Sequence, residues 1–579
     1  MKKIIKYIKS ICTFCGALVI ISSIIYGVYF WQQNSYNVPE NSALLVDFSK
    51  NYSESNNTNL VDEIMGEESL NYQKLLQAIE FAIQDKNIKM LLARLDNSNL
   101  DFAQMQEIAE SIQRFRKSGK PAYVYSKGFG PFGQGNREYF LATYFDKIYM
   151  QPHTYIGLNG ISIETPFFKK LFDKLGIETE FYSRYEYKNA MISFTDETMS
   201  PTYKENMGEL EKDLMNELKK QISDNRQLKE NIDNIINKAP ITAEQGKKWG
   251  MVDDIMYLPE LENQLKTEGI NNYVKVLDYA NLIHNNDEEG LPTVAFLTIN
   301  GVINQGKTSE DFNGEYAVGC ESIAKDINKI KELSNLKAVV VRINSPGGDY
   351  NAADEIYQAL MQLKEEKNIP LIVSQSGYAA SGGYFISLAG DVIFAEPTTI
   401  TGSIGVFGGK FVLQKMWDKL DVNWEYLNYG KNAGILSMNR PFTPEEAKIF
   451  NTSLDNVYED FTDKVKSRRK LTADIEQIAR GRVWTGIKAK QLGLIDDFGG
   501  FVKALYVAKS KSGIGDNERY NLAVYPQEKS FSDKFREILI GARMPATQIL
   551  NKSGVDIRYL KLFKNLQYDT VLTPFILNM

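Results

Sequence analysis

A chain of 579 residues is too long for one ordinary core and predicts two or more domains. With 43% hydrophobic and 24% charged residues it reads as folded, and a formal net charge of −6 excludes the basic footprint of a nucleic-acid binder. Three cysteines, two of them inside an apolar segment, exclude a disulfide framework, and only two histidines, His153 and His284, are present.

The first ten residues, "MKKIIKYIKS", are basic, and residues 11–31 carry no charge at all. A stretch of 21 such residues is long enough to cross about 30 Å of hydrocarbon, which predicts a transmembrane helix over 11–31. Lys2, Lys3, Lys6 and Lys9 would keep residues 1–10 in the cytoplasm and place the body on the other side. A long cleaved signal is the competing reading. Its apolar core is ordinarily shorter, and no small-residue cleavage site stands before Gln32. Both readings put the body in the same compartment. Cys12 and Cys15, spaced C-x-x-C, read as packing within that helix.

The body then repeats itself. "IKMLLARLDNSN" (88–99) parallels "LKAVVVRINSPG" (336–347) at a shift of 248. "REYFLATYFDKIYMQP" (137–152) parallels "GGYFISLAGDVIFAEP" (382–397) at 245. "KLGIETEFYSRYEYKNA" (174–190) parallels "KLDVNWEYLNYGKNA" (419–433), the shift drifting from 245 to 243. "TAEQGKKWGMVDDI" (242–255) parallels "TGIKAKQLGLIDDF" (485–498) at 243. Four blocks in one order predict a tandem duplication of an α/β unit.

In the second copy, "TVAFLTI" (293–299), "AVVVRI" (338–343), "PLIVS" (370–374) and "DVIFA" (391–395) predict buried strands. "AADEIYQALMQLKEEK" (352–367) predicts an amphipathic helix with Ile356, Leu360 and Leu363 on one face. Strands alternating with helices predict a layered domain around a largely parallel sheet. Two small-residue turns, "NSPGGD" (344–349) and "SGYAASGG" (376–383), follow successive strands, where sites assemble in such sheets.

A serine set among alanines and glycines suits either a helix N-cap or a nucleophile that needs close backbone approach. Acyl transfer also needs donors for the developing oxyanion and a base. Gly382 after Ser381, with Gly347 and Gly348 of the other turn, can aim backbone N–H groups at one point. A histidine base is poorly supplied: His284 lies in a polar linker and His153 in a loop. Lysine is the alternative, provided that burial brings its pKa from about 10.4 to near neutrality, a change worth about 4 kcal/mol.

"RINSPGG", "SGYAASGGYFISLAGD" and "TGSIGV", with the duplication and the apolar amino terminus, resemble the signal peptide peptidase A (protease IV) family in its long two-repeat bacterial form. The resemblance covers residues 11–510. It implies a tandem pair of Clp-protease/crotonase-like domains after one transmembrane helix, with a first repeat at 40–285, a second at 290–510 and an extension at 511–579. It implies a Ser-Lys dyad with no metal or cofactor: Ser381 as nucleophile, Lys188 of "YKNAMISFTDETMSP" as base, and Ser403 orienting that base. The glycines named above would form the oxyanion hole. Substrates would be cleaved signal peptides and other apolar peptides, on the periplasmic side of a bacterial inner membrane, in a homotetramer. In the first repeat Asn136 stands where Ser381 would, and "NSNL" (97–100) replaces the glycine turn, so that copy has no nucleophile. The second repeat keeps Lys431 at the position of Lys188, which leaves it open as a relic, a substrate contact or the base itself. Met191, Ile192 and Phe194 would desolvate Lys188.

A crotonase-type acyl-CoA enzyme would share the fold and the glycine turns but gives no reason for the Ser/Lys pair. A non-catalytic membrane scaffold would explain Asn136 but not the intact second-repeat motifs.

Overall fold

The computed structural model describes residues 38–55, 70–130, 133–283, 288–310, 316–527 and 570–571. The apolar segment 11–31 and His284 lie outside them; among the described residues no helix is long and apolar enough to cross a membrane.

Two sheets with one strand order carry the duplication. In the first, the spatial order is Asp254–Ile255, Lys147–Met150, Ala122–Ser126, Ile88–Arg94, Ser42–Asp47 and Asn272–Lys275, every neighbour parallel. In the second, Asp497–Phe498, Val392–Ala395, Leu371–Ala380, Leu336–Ser345, Thr293–Asn300 and Asn521–Tyr525 take the same places, again all parallel. The second sheet therefore runs past residue 510: Asn521–Tyr525 pairs with Thr293–Asn300 as Asn272–Lys275 pairs with Ser42–Asp47. Nothing in the sequence marks this edge strand, because Asn521–Tyr525 shares no extended run of residues with Asn272–Lys275.

Continuous apolar runs make these strands because both faces are covered. Ala295, Leu297, Val339 and Val341 face one core, whereas Val294, Phe296 and Val340 face another that also takes in the first repeat. The helix Tyr350–Lys367 starts where the Asp349 side chain accepts the Ala352 N–H and stops at Asn368, whose φ of 48° is left-handed. Its Ile356, Leu360 and Leu363 are buried as their spacing predicts, each contributing about 1.5–3 kcal/mol.

The repeats are joined in two ways. The first-repeat strand Glu178–Arg184 lies antiparallel on Val406–Val412 of the second, from Arg184 opposite Val406 to Glu178 opposite Val412. Deeper in, the fully buried Arg342 of the second repeat binds Glu54 and Glu107 of the first at 2.7 and 2.5 Å, together with Ser374 and Ser376. Burial, partly offset by Arg342 and reinforced by Glu54, pushes the Glu107 carboxyl up to about 7. Nothing in the sequence marks this contact.

Candidate active site

The strand Leu371–Ala380 is longer than its apolar run, because Tyr378–Ala380 gains a second neighbour in Ile400–Gly402. Part of "SGYAASGG" is thus strand rather than turn, and the chain reverses at Ser381 alone. Ser381 has φ 58° and ψ −115°, a conformation L-residues rarely adopt. It is held by its N–H to the Gly402 carbonyl at 2.7 Å and by its carbonyl, which accepts the Phe385 N–H at 2.8 Å. It occupies the N-cap position of the helix Gly382–Ser387, yet its side chain makes no capping bond. The hydroxyl is left for something else.

The small residues beside it are explained by close backbone approach. A Cβ on Gly382 would sit 3.3 Å from the Gly348 nitrogen, and one on Gly383 would sit 2.9 Å from the Ser345 carbonyl oxygen. The "NSPGG" turn thus lies against the start of the helix. Its two glycines differ: the Gly347 N–H is donated to Ser345 Oγ at 3.1 Å, so the Gly348 amide is the one beside Gly382.

Lys188 reaches this point from the other repeat. It follows the strand Glu178–Arg184, whose pairing with Val406–Val412 carries it across. Its Nζ lies 2.7 Å from Ser381 Oγ, 3.0 Å from Ser403 Oγ and 3.2 Å from the Ser403 carbonyl oxygen. Lys188 is 5% exposed, and burial holds its amine well below the usual lysine range with no opposing carboxylate. Met191, Ile192 and Phe194 are buried beside it in sequence, and a cavity of about 160 Å³ next to it is lined by Phe181, Met191 and Phe407 together with Glu186, Asn189 and Asp196. Lys431 is exposed on the stretch after Tyr429. The exposed His153 stays in its loop, away from the cluster. In the first repeat, the Asn136 amide donates to the Gly160 carbonyl at 2.7 Å, filling the place of the nucleophile.

One further residue escaped sequence reasoning. Gly481 (φ 87°) packs so closely on Lys188 that an added Cβ would stand 2.5 Å from the Lys188 backbone nitrogen and Cβ. The signal is a tertiary contact, so "ARGR" offers no hint of it. Gly481→Ala is expected to displace Lys188 and lower kcat/KM by at least tenfold while KM changes less, measured by steady-state peptide hydrolysis.

The pattern of Peptidase family S49 matches residues 114–270 and again 363–515. The chain belongs to that family. It is a serine peptidase, and a Clp protease match over residues 319–399 places its sheet among Clp-protease-like α/β folds. Among its relatives, "Serine protease SPPA, chloroplastic" of Arabidopsis thaliana is 31% identical over 515 residues, covering 86% of this chain and 75% of that one. "Protease 4" of Salmonella typhi is 30% identical over 557 residues, covering 91% and 87%. "Putative signal peptide peptidase SppA" of Enterococcus faecium is 29% identical over 290 residues, covering 50% and 82%.

Proposed function

We propose that this S49 peptidase is an endopeptidase with a Ser-Lys dyad, in which Lys188 takes the proton of Ser381. The observation that carries the reading is the 2.7 Å contact between Lys188 Nζ and Ser381 Oγ, with Ser403 as the amine's other partner and no carboxylate or histidine bonded to it. A neutral amine has two N–H groups and one lone pair. With the N–H groups on Ser403 Oγ and the Ser403 carbonyl, the lone pair is left facing the Ser381 hydroxyl.

Lys188 removes the Ser381 proton as Oγ attacks the scissile carbonyl, and the carbonyl π pair moves onto oxygen. The Gly382 and Gly348 amides donate to that oxyanion, which stabilises the transition state by several kcal/mol. The resulting ammonium returns the proton to the leaving amine as the C–N bond breaks, and water attacks the acyl-enzyme by the same route. An extended substrate has a seat: Thr570–Val571 of the chain lies between Gly348–Asp349 and Val406–Val412, antiparallel to both. Backbone pairing there favours peptides in strand form, among them cleaved signal peptides. Anchoring through 11–31 would hold the site near such peptides at the membrane surface.

A fluorophosphonate probe tests the reading. Wild type is expected to label on one serine and Ser381→Ala not at all, with peptide turnover lost together with the label. Labelling that persists in Ser381→Ala rejects it. The pH profile has a definite sign: kcat/KM rises with pH through the depressed Lys188 pKa, because the neutral amine is the reactive form.

A further inference from the structure

Lys188 is a buried side chain on an exposed loop. The chain leaves the sheet after Glu178–Arg184, and Tyr185 and Glu186 are exposed before Lys188 turns inward. Within the loop, the Lys188 N–H is donated to the Tyr185 carbonyl at 3.1 Å. One such turn does not hold a base in register with a nucleophile on the other repeat, where a displacement of about 1 Å can cost on the order of 10²-fold in rate.

The second repeat supplies the missing hold through three consecutive residues, Arg480, Gly481 and Arg482. Arg480 and Gly481 are both left-handed, at φ 60° and 87°, which lays Gly481 on the Lys188 backbone while the flanking arginines reach the residues before it. The Arg480 guanidinium lies 4.4 Å from the centre of the Tyr185 ring and forks onto the Glu186 carboxylate, with Nε at 3.0 Å and Nη2 at 2.8 Å. Arg482 lies 4.4 Å from the Tyr187 ring centre and pairs with Glu205, which also accepts the Tyr187 hydroxyl at 3.1 Å. The same three residues hold the amine's other partner. The Arg482 carbonyl accepts the Ser403 N–H at 2.8 Å, and the Gly481 N–H is donated to the Ile404 carbonyl at 2.8 Å. One short segment therefore sets both Lys188 and Ser403.

The duplication ties the two halves of this contact together. At the shift of 243 that relates Lys188 to Lys431, Tyr185, Glu186 and Tyr187 become Asn428, Tyr429 and Gly430. At the same shift Arg480, Gly481 and Arg482 become Asn237, Lys238 and Ala239. The acid with its aromatic neighbours and the paired arginines stand only on the two segments that meet beside Ser381.

We propose that Arg480, gripping Glu186 and Tyr185 across the repeat boundary, is a positioning residue that sets the Lys188 backbone so that Nζ meets Ser381 and Ser403 together. The proposal rests on the reading of Lys188 as the base. Forking onto a carboxylate while stacking on a ring suits the planar guanidinium and is beyond a lysine. Hydrogen bonding from Arg480 also holds the Glu186 carboxyl below its ordinary value, so the pair stays charged at neutral pH. An exposed ion pair adds little to global stability, so the effect falls on the rate.

The full-length chain in detergent tests this, with peptide turnover counted per serine labelled to completion by a fluorophosphonate, so that misfolded chains leave the count. Arg480→Ala is expected to lower kcat per labelled site by on the order of 10–10²-fold, with KM within about twofold of wild type. Arg480→Lys, which keeps the charge without the fork, is expected to fall between the two. Glu186→Ala breaks the same bond from the exposed side and is expected to lose a similar factor, and the double variant no more than the larger single loss. Arg469→Ala removes an equally forked pair, both bonds to Asp496 being 3.0 Å, away from Lys188, and is expected to keep its kcat per site. Wild-type kcat per site in Arg480→Ala and Glu186→Ala overturns the proposal, as do losses that simply add in the double variant. A raised KM at unchanged kcat, or an equal loss in Arg469→Ala, overturns it too. All of these leave the dyad in place when Lys188→Met, run alongside, is inactive; wild-type turnover in Lys188→Met rejects the dyad and this role with it.

Discussion

Lys188→Met is expected to lower kcat by on the order of 10²–10⁴-fold while the chain folds as before, whereas Lys431→Met keeps most of its turnover. The methionine approximates the lysine stem in volume and removes only the amine that lies 2.7 Å from Ser381 Oγ. Stability should move the other way. The buried amine titrates below its unfolded value, so the unfolded state binds more protons between the two pKa values, and wild-type stability rises with pH across that window. The variant lacks this slope and should be more stable than wild type at neutral pH, measured by urea unfolding at several pH values. Full turnover in Lys188→Met with loss in Lys431→Met would move the base into the second repeat and sever the dyad from the cross-repeat strand.

Arg342→Leu should be the most damaging substitution away from the site, destabilising the chain by about 3–5 kcal/mol. It leaves Glu54 and Glu107 buried without their cation, with Ser374 and Ser376 losing a donor. The deficit should shrink as pH falls. In wild type Glu107 already titrates near 7 through burial, so its folded form binds the proton more tightly than the unfolded chain does. That contribution to stability is complete below the unfolded carboxyl pKa and is lost as pH rises through about 7. Without Arg342, Glu107 loses the charge that opposed the rise, so protonation rescues the variant more than the wild type. A thermal midpoint that drops equally at pH 5 and pH 8 would contradict this. Adding Glu54→Gln and Glu107→Gln to Arg342→Leu should recover part of the loss.

Much of this protein is legible in the chain because it is written in short-range pattern. Apolar runs such as Ala338–Val341 are buried strands, and the spacing of Ile356, Leu360 and Leu363 is a buried helix face. The internal shift near 245 becomes two sheets of one strand order. The motif around Ser381 could be singled out because a serine between two alanines and two glycines is a local requirement of close backbone approach. What the sequence could not decide are the choices made between segments distant in the chain. That Lys188 rather than Lys431 meets Ser381 depends on which strand edge receives Glu178–Arg184, and both repeats carry the same segment. That Gly348 rather than Gly347 has its amide beside Gly382 depends on a bond from Gly347 to Ser345. Gly481 against Lys188 and Arg342 between Glu54 and Glu107 join residues separated by hundreds of positions, and no local propensity records such contacts. Periodicity fixes which face of an element is buried; only the packing of one repeat on the other decides which side chains share a site.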